Sequence, residues 1–257
     1  MDAEEKDLFY KFLIGGGILL FILLTFIVST IIQYRRYRKL FKAKLNAEII
    51  TLEQERKRIA SDLHDEVGPM LSVIKMQVNH LKERLPAEEK DNLKVSSHID
   101  DTIQRMRDIS NDLLPSVLLR KGLDAAIKNF LEKMRRGTAL TIQYDSRVSH
   151  RPSETVEVNM FRIVQEIVHN AIKHVGSGTL RIQLEISPHQ LRLATEDSGK
   201  GFDFDKLLTT STGFGLKNLQ SRAELLNGKM TVHSVKEKGT RYLFEIPLPA
   251  IYVTNQT

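Results

Sequence analysis

Ile59-Ala-Ser-Asp-Leu-His-Asp-Glu-Val-Gly68 sets His64, with Asp65 directly after it, inside a run whose apolar residues keep helical spacing. Working outward, apolar residues recur at alternating steps of four and three: Leu45, Ile49, Leu52, then Ile59, Leu63, Met70 and Ile74, with Leu81 beyond. Steps averaging about 3.5 residues predict one helix of a coiled coil or bundle, a pattern broken only where Arg56 takes a seam position. The helix should run to about Leu85, where Pro86-Ala-Glu-Glu89 reads as a turn and the acidic start of a second helix. That second helix carries Ile99, Ile103, Met106, Leu113 and Leu114 and breaks near Pro115. Two antiparallel helices of this kind leave a wide apolar face, which a second copy would cover as a four-helix bundle.

The 257 residues allow one or two domains, and the absence of cysteine excludes disulfides, thiol nucleophiles and thiolate metal sites. From Phe12 to Gln33 no residue is charged. As a helix this run spans roughly 33 Å, enough for a hydrocarbon core of about 30 Å. A signal peptide fits less well, because the run exceeds the usual apolar length of about 7–15 residues and its leading flank, Met1-Asp-Ala-Glu-Glu-Lys-Asp7, is not basic. Arg35, Arg36, Arg38, Lys39, Lys42 and Lys44 follow with no acid among them. The positive-inside rule therefore predicts a single pass through the cytoplasmic (inner) membrane, with residues 1–11 outside and the bulk of the chain in the cytoplasm. The stretch before the span is too short for a folded external sensor. Much of the formal charge of +6 sits beside the bilayer, in reach of anionic headgroups. No aromatic-studded basic surface or recognition-helix signature points to direct nucleic-acid binding.

After Pro115 the pattern changes. Gly122-Leu-Asp-Ala-Ala-Ile127 opens a helix ending near Gly137, Thr141 to Tyr144 predicts a strand, and Glu154 to Val175 a helix. Leu180 to Ile186 and Leu191 to Thr195 predict a hairpin turning at Pro188-His-Gln190. Leu216 to Leu226 predicts a helix, and Met230 to Val235 with Arg241 to Ile246 a closing hairpin around Glu237-Lys-Gly239. Elements that do not alternate strictly predict a layered α/β sandwich and not a doubly wound parallel sheet.

With Leu63 in the seam, His64 falls one step round the helix, half exposed at its shoulder beside Ala60, Ser61, Val67 and Gly68. Most of these neighbours are small and leave room for a phosphate donor. A neutral imidazole attacks with the lone pair of one nitrogen while an acceptor holds the proton on the other. Asp65 is the nearest acceptor; a positioned base of this type contributes about 10²–10⁴-fold. Taken alone, the pair reads as an ordinary surface histidine, as His80, His98, His150, His189 and His233 do.

Context changes that weighting. Glu166, Asn170, Lys173 and His174 recur at steps of three or four and gather on one helix face. An amide oxygen suits Mg²⁺, while Lys173 and His174 can meet phosphate oxygens. Asp197 ends a strand and enters Gly199 and Gly201; its carboxylate can accept the exocyclic N–H of adenine. Gly213 and Gly215 precede the helix at Leu216, whose N-terminal amides suit an anion, and Thr240 follows Gly239 near the base. This is neither a Walker loop nor a dinucleotide fingerprint: Gly213-Phe-Gly215 lacks a third glycine, and no Gly-Lys-Ser/Thr loop is present.

Asp62-Leu-His-Asp65 with Gly68, preceded by Glu55-Arg56 and Arg58-Ile-Ala60, resembles the phosphoacceptor hairpin of sensor histidine kinases. The similarity is to the branch paired with helix-turn-helix response regulators, which Leu114-Pro115, Leu118 and Gly122-Leu123 also match. The later motifs resemble the N, G1 and G2 boxes of the Bergerat-type ATPase fold that histidine kinases share with Hsp90, gyrase B and MutL. The resemblance spans roughly Glu53 to Leu248. It implies that His64 is autophosphorylated with Asp65 as assisting acid/base, that Asn170 holds Mg²⁺ and Asp197 selects adenine, that Glu166 orders the Mg²⁺ shell, and that Lys200 to Thr212 forms a short mobile lid. ATP and Mg²⁺ are then the cofactors, a homodimer the working unit, and the receiver domain of a cognate response regulator with a helix-turn-helix output the phosphoryl acceptor. Whether a subunit phosphorylates itself or its twin depends on hairpin handedness near Pro86. Many members carry glutamine five residues after the histidine; Pro69 stands there, which implies little glutamine-type phosphatase activity and a kink after the acceptor.

The expected fold class is therefore α plus α/β: a transmembrane helix (12–33), a basic juxtamembrane helix (34–52), an antiparallel helical-hairpin dimerisation and phosphotransfer domain (53–122), a two-layer α/β Bergerat sandwich (123–250) and a tail (251–257). Two other readings stay open, a nucleotide-binding pseudokinase scaffold and a Bergerat-type ATPase or serine kinase.

Overall fold

A single helix, α1 (Ala3–Asp62), covers the apolar run, the basic segment and the approach to the acceptor histidine. The computed structural model describes residues 3–84, 94–202 and 214–249. The expected turn at Pro86, most of the Lys200–Thr212 lid, Gly213 and the tail 251–257 lie outside the described residues.

The chain divides into two compact units, Met1–Glu48 and Ile49–Thr257. In the first, the apolar side chains from Phe12 to Ile32 are exposed along the helix. Thr25 and Thr30 donate their hydroxyls to the carbonyls of Ile22 and Phe26 at 2.8 and 2.9 Å, which satisfies them within apolar surroundings. Among the described residues one helix is long and apolar enough to cross a membrane, its most apolar window reaching a mean hydropathy of 2.6.

In the second unit, a π-helical turn of five residues, Leu63–Val67, carries His64 and leads into α2 (Gly68–Glu83). Pro69 explains the change of pitch. It has no N–H to donate, and its ring would crowd the carbonyl four residues back. The wider turn lets the Gly68 N–H bond Leu63 O instead, so the expected kink takes the form of a π turn and the helix continues. Helix α3 (Val95–Leu113) returns antiparallel, shown by contacts that step in opposite senses along the two arms. Ser96 bonds Asn79 at 2.6 Å, Lys75 pairs with Asp100 at 2.5 Å, and Ser110 bonds the Ala60 carbonyl at 3.1 Å. Ile103 and Met106 are buried, whereas the seam residues Met70, Ile74 and Leu81 are exposed.

Leu114 is extended, as a residue before proline prefers, and α4 (Ser116–Arg135) starts after Pro115. Asn111 Oδ1 accepts the Ser116 backbone N–H and hydroxyl at 3.3 and 3.1 Å. Helix α4 is bent at Gly122, where φ is +82°. A side chain there would be strained and would also sit 2.8 Å from Glu157 Oε1. That carboxylate accepts the Leu123 N–H at 3.1 Å and is paired with Arg151 at 2.8 Å. Arg151 in turn donates to the carbonyls of Leu118 and Leu119, which the bend leaves without helical partners.

The remaining elements are β1 (Thr141–Val148), α5 (Glu154–Val175), β2 (Thr179–Ser187), β3 (Gln190–Asp197), α6 (Phe214–Leu225), β4 (Lys229–Val235) and β5 (Gly239–Pro247). They form one five-stranded sheet in the order β1-β2-β3-β5-β4, with β1 parallel to β2 and every other pair antiparallel. Apart from a longer β1, these are the expected strands and helices. Leu180, Ile182, Leu184, Leu191, Leu193, Phe244 and Ile246 are buried on the face covered by α4, α5 and α6, while Arg181, Gln183, Glu185 and Arg192 face solvent. Burying one such apolar side chain stabilises by about 1.5–3 kcal/mol, which is why the alternation sets the register. The result is a two-layer sandwich. Ala60 and Leu114 join its core, so the base of the hairpin and the lobe share buried surface.

Candidate functional site

Helix α5 presents its expected site residues unevenly. Ile167, Asn170, Ala171 and His174 line a cavity of about 520 Å³, together with Asp197, Gly199, Gly201, Gly215, Leu216 and Thr240. Ligand pockets for small molecules run to about 300–1,000 Å³, and this cavity falls within that range. Glu166 flanks the opening: a Cβ on Gly215 would come within 2.8 Å of its Oε1. Lys173, exposed like His174, is not among the described residues that line the cavity. From Asn170, a helix turns roughly 40° on reaching His174 but about −60° on reaching Lys173, away from the side that Ile167 and Ala171 mark as inward.

Asn170 Nδ2 donates to Glu166 Oε1 at 3.1 Å. A carboxylate only accepts, so this bond fixes the amide orientation and turns Oδ1 away, free for a hard cation. Asp197 Oδ1 accepts the Gly199 N–H at 2.8 Å. Gly239, with φ of +84°, lets β5 pass against the Asp197 carbonyl where no side chain fits. Ser234 ties the rim together, accepting the Phe202 N–H at 2.8 Å and lying 3.0 Å from the Thr240 hydroxyl.

Burial pushes the Asp197 carboxyl above the usual carboxylate range, against the amides of Gly199 and Thr240, which pull it down. A raised carboxyl takes up its proton at a pH where a free aspartate is still ionised, and the neutral form loses an acceptor. Nucleotide affinity should therefore fall on acidification, starting at higher pH than an ordinary aspartate would dictate. Titration with a fluorescent nucleotide should show this slope in the native chain and not in Asp197→Asn; a flat profile in both would remove Asp197 from base recognition.

Sequence reasoning missed two cavity features. Tyr242 lines the same wall, and beside it Thr195 is 2% exposed with an Oγ1 that has no partner, the one such buried side-chain atom among the described residues. Such an orphan costs about 1–3 kcal/mol, which fits a floor completed by a polar ligand or water. The signal was available: polar residues at Thr195 and Tyr242 interrupt the apolar alternation of β3 and β5.

His64 is exposed and makes no hydrogen bond among the described residues. Asp65 Oδ2 accepts the Ser61 hydroxyl at 2.8 Å, so its contact is with the preceding turn and not with the adjacent imidazole. Consecutive helix residues diverge around the axis, which accounts for this. No hairpin residue lines the nucleotide cavity among the described residues.

A second cluster was also missed. Glu53 of α1 accepts from Arg162 Nε at 3.1 Å and from Arg222 Nη2 at 2.8 Å, with Arg56 at 3.6 Å. Arg162, 6% exposed, also donates to the carbonyls of Asp112 and Leu113 at the end of α3, and Arg222 donates to Asn159 Oδ1 at 2.9 Å. Burial lowers the Arg162 guanidinium's pKa, and Glu53 opposes that shift. The cluster ties α1 and the base of α3 to α5 and α6, the two helices that flank the cavity. An arginine inside Met160-Phe-Arg-Ile-Val164 was the available sign that a partner must exist.

The family described as histidine kinase-, DNA gyrase B- and HSP90-like ATPase matches residues 155–250, which begin in α5 and run past β5. The family described as histidine kinase matches residues 55–118, the hairpin with His64. The chain belongs to the histidine kinase family. Sensor histidine kinase LiaS of Bacillus subtilis (strain 168) is 31% identical over 225 residues, covering 86% of this chain and 61% of that protein. Oxygen sensor histidine kinase NreB of Staphylococcus carnosus (strain TM300) is 29% identical over 223 residues, covering 84% of this chain and 63% of that one. This histidine kinase chain thus spans a little over three fifths of the length of the curated relatives it matches. Among solved structures, the Erythrobacter litoralis EL346 blue-light activated histidine kinase aligns over 69% of this chain and 60% of its own, at 18% identity and a TM-score of 0.46.

Proposed function

We propose that the chain is a membrane-bound sensor kinase that phosphorylates His64 from Mg-ATP and hands the phosphoryl group to an aspartate on the receiver domain of a response regulator. One observation carries this: an exposed, unpartnered imidazole on the hairpin belongs to the same chain as a cavity walled by Asn170, Asp197 and Thr240. A lone pair of the His64 ring forms the new N–P bond as the bond from the γ-phosphorus to the bridging oxygen breaks and ADP leaves. Asp197 accepts the exocyclic amine of the base, and the N-terminal amides of α6 at Gly215 and Leu216 face phosphate oxygens. Asn170 Oδ1, oriented by Glu166, would hold Mg²⁺, which when bound offsets charge on the transferring group. His174, on the cavity wall, is placed to meet phosphate oxygens, with Lys173 next to it on α5. Residues 53–122 serve as dimerisation and phosphotransfer hairpin and 123–250 as ATP-binding lobe. The exposed Met70, Ile74 and Leu81 supply the apolar face for a second copy, and 12–33 crosses the cytoplasmic membrane.

Incubation with ATP labelled on its γ-phosphate should give an acid-labile, base-stable label on the chain. Absence of label, or a label stable to acid, would leave the scaffold or serine-kinase reading in its place.

The Glu53 cluster supports gating by the helix that leaves the membrane. With the cluster closed, His64 stays outside the nucleotide cavity, so transfer within a subunit requires the lobe to move. Removing one partner of a buried ion pair costs about 3–5 kcal/mol, which loosens this docked arrangement. Glu53→Gln should raise basal autophosphorylation severalfold with ATP affinity unchanged; equal or lower rates in a folded variant would refute the gate.

A further inference from the structure

The inward face of β3 and β5 carries more polar chemistry than adenine selection by Asp197 requires. In the antiparallel register Asp197 stands opposite Thr240, and Thr195 stands opposite Tyr242. Side chains two apart on a strand share a face, so these four residues form a square. Asp197, Thr240 and Tyr242 line the nucleotide cavity. Thr195 lies behind, with its hydroxyl orphaned.

Tyr242 is 9% exposed, and its hydroxyl has no hydrogen-bond partner among the described residues. Its position is fixed from both sides. The ring stacks on Phe244 at 6.4 Å, while the hydroxyl lies within electrostatic reach of Asp197 and Glu166. Burial, then those two carboxylates, push the phenol up to about 12, so it remains a donor at neutral pH. A donor next to the Asp197 acceptor matches one nucleobase edge in particular. Adenine offers an exocyclic amine beside a ring nitrogen that accepts; guanine reverses both, with a carbonyl beside a ring N–H.

We propose that Tyr242, backed by Thr195, is a second base-reading position of the nucleotide site, its hydroxyl donating to the accepting ring nitrogen of adenine directly or through one bridging water. The proposal rests on the ATP reading above and deepens it. The opposing view makes Tyr242 a packing residue that fills the floor beside Phe244. The two differ on removal of one oxygen. Tyr242→Phe keeps the ring and deletes the donor, and a site built to hydrogen-bond its ligand loses discrimination when a partner is lost.

The test uses the full chain in detergent, a fluorescent ADP analogue and its displacement by ATP and by GTP. Tyr242→Phe should weaken ATP about 5–10-fold, the scale of one neutral hydrogen bond, and leave GTP nearly unchanged, so the preference narrows by the same factor. Thr195→Val should shift the preference the same way by a smaller factor. Unaltered ATP binding in Tyr242→Phe, or equal weakening of both nucleotides, overturns the proposal. Displacement is read without phosphoryl transfer, so native chain that binds ATP with this preference yet makes no phosphohistidine sinks the kinase reading alone. Native chain that binds neither nucleotide sinks both.

Discussion

His64→Gln removes all acid-labile phosphate from the chain while nucleotide binding stays intact. Glutamine matches the bulk and polarity of the imidazole and is a good helix former, so the turn at Leu63–Val67 should keep its shape. What it lacks is a nitrogen lone pair outside an amide, the group that attacks phosphorus. Because His64 has no hydrogen-bond partner among the described residues, its removal disturbs no network. Eight histidines are present, so the measurement also tests position: label surviving on any of the others would move the acceptor elsewhere. Mass spectrometry of the labelled peptide against nucleotide binding in the same preparation separates these outcomes.

Asn170→Asp should cut autophosphorylation at least ~100-fold, about 2.7 kcal/mol of transition-state stabilisation. The native amide donates to Glu166 Oε1 at 3.1 Å. An aspartate there sets two carboxylates face to face, loses the donor and raises the pKa of one or both, so the geometry that presents Oδ1 to a cation is lost. Compensation makes the test sharper. In the double variant Asn170→Asp with Glu166→Gln, an amide faces a carboxylate again with the roles exchanged, and part of the activity should return. If the single variant works within a few-fold of the native chain, or the pair shows no coupling, Asn170 does not organise the metal site.

Helix Glu154–Val175 and the strands around it were legible because burial on one face writes period 3.6 or period 2 into local sequence. Asn170, Asp197, Gly215 and Thr240, each singled out within a short motif, come together on one cavity because the residues of such a motif stay neighbours in space. Spacing places a residue on a helix, but the partner layer decides which arc lines the cavity, and Lys173 lies off that arc. Pro69 announced a disturbance without its form, since a kink and a π turn both answer a missing N–H.

Local pattern thus reaches the membrane-length helix, the hairpin and the sandwich, all of which follow from contacts close along the chain. Long-range assembly had to supply the rest. Glu53 meets Arg162 across 109 residues and Arg222 across 169, and no periodicity encodes such a meeting. The same holds for the square of Asp197, Thr240, Thr195 and Tyr242, which exists only because two strands far apart in sequence pair in one register. Charges and hydroxyls that look unremarkable in line become an ion-pair cluster and a polar cavity floor once burial leaves them only one another, or a ligand, to bond.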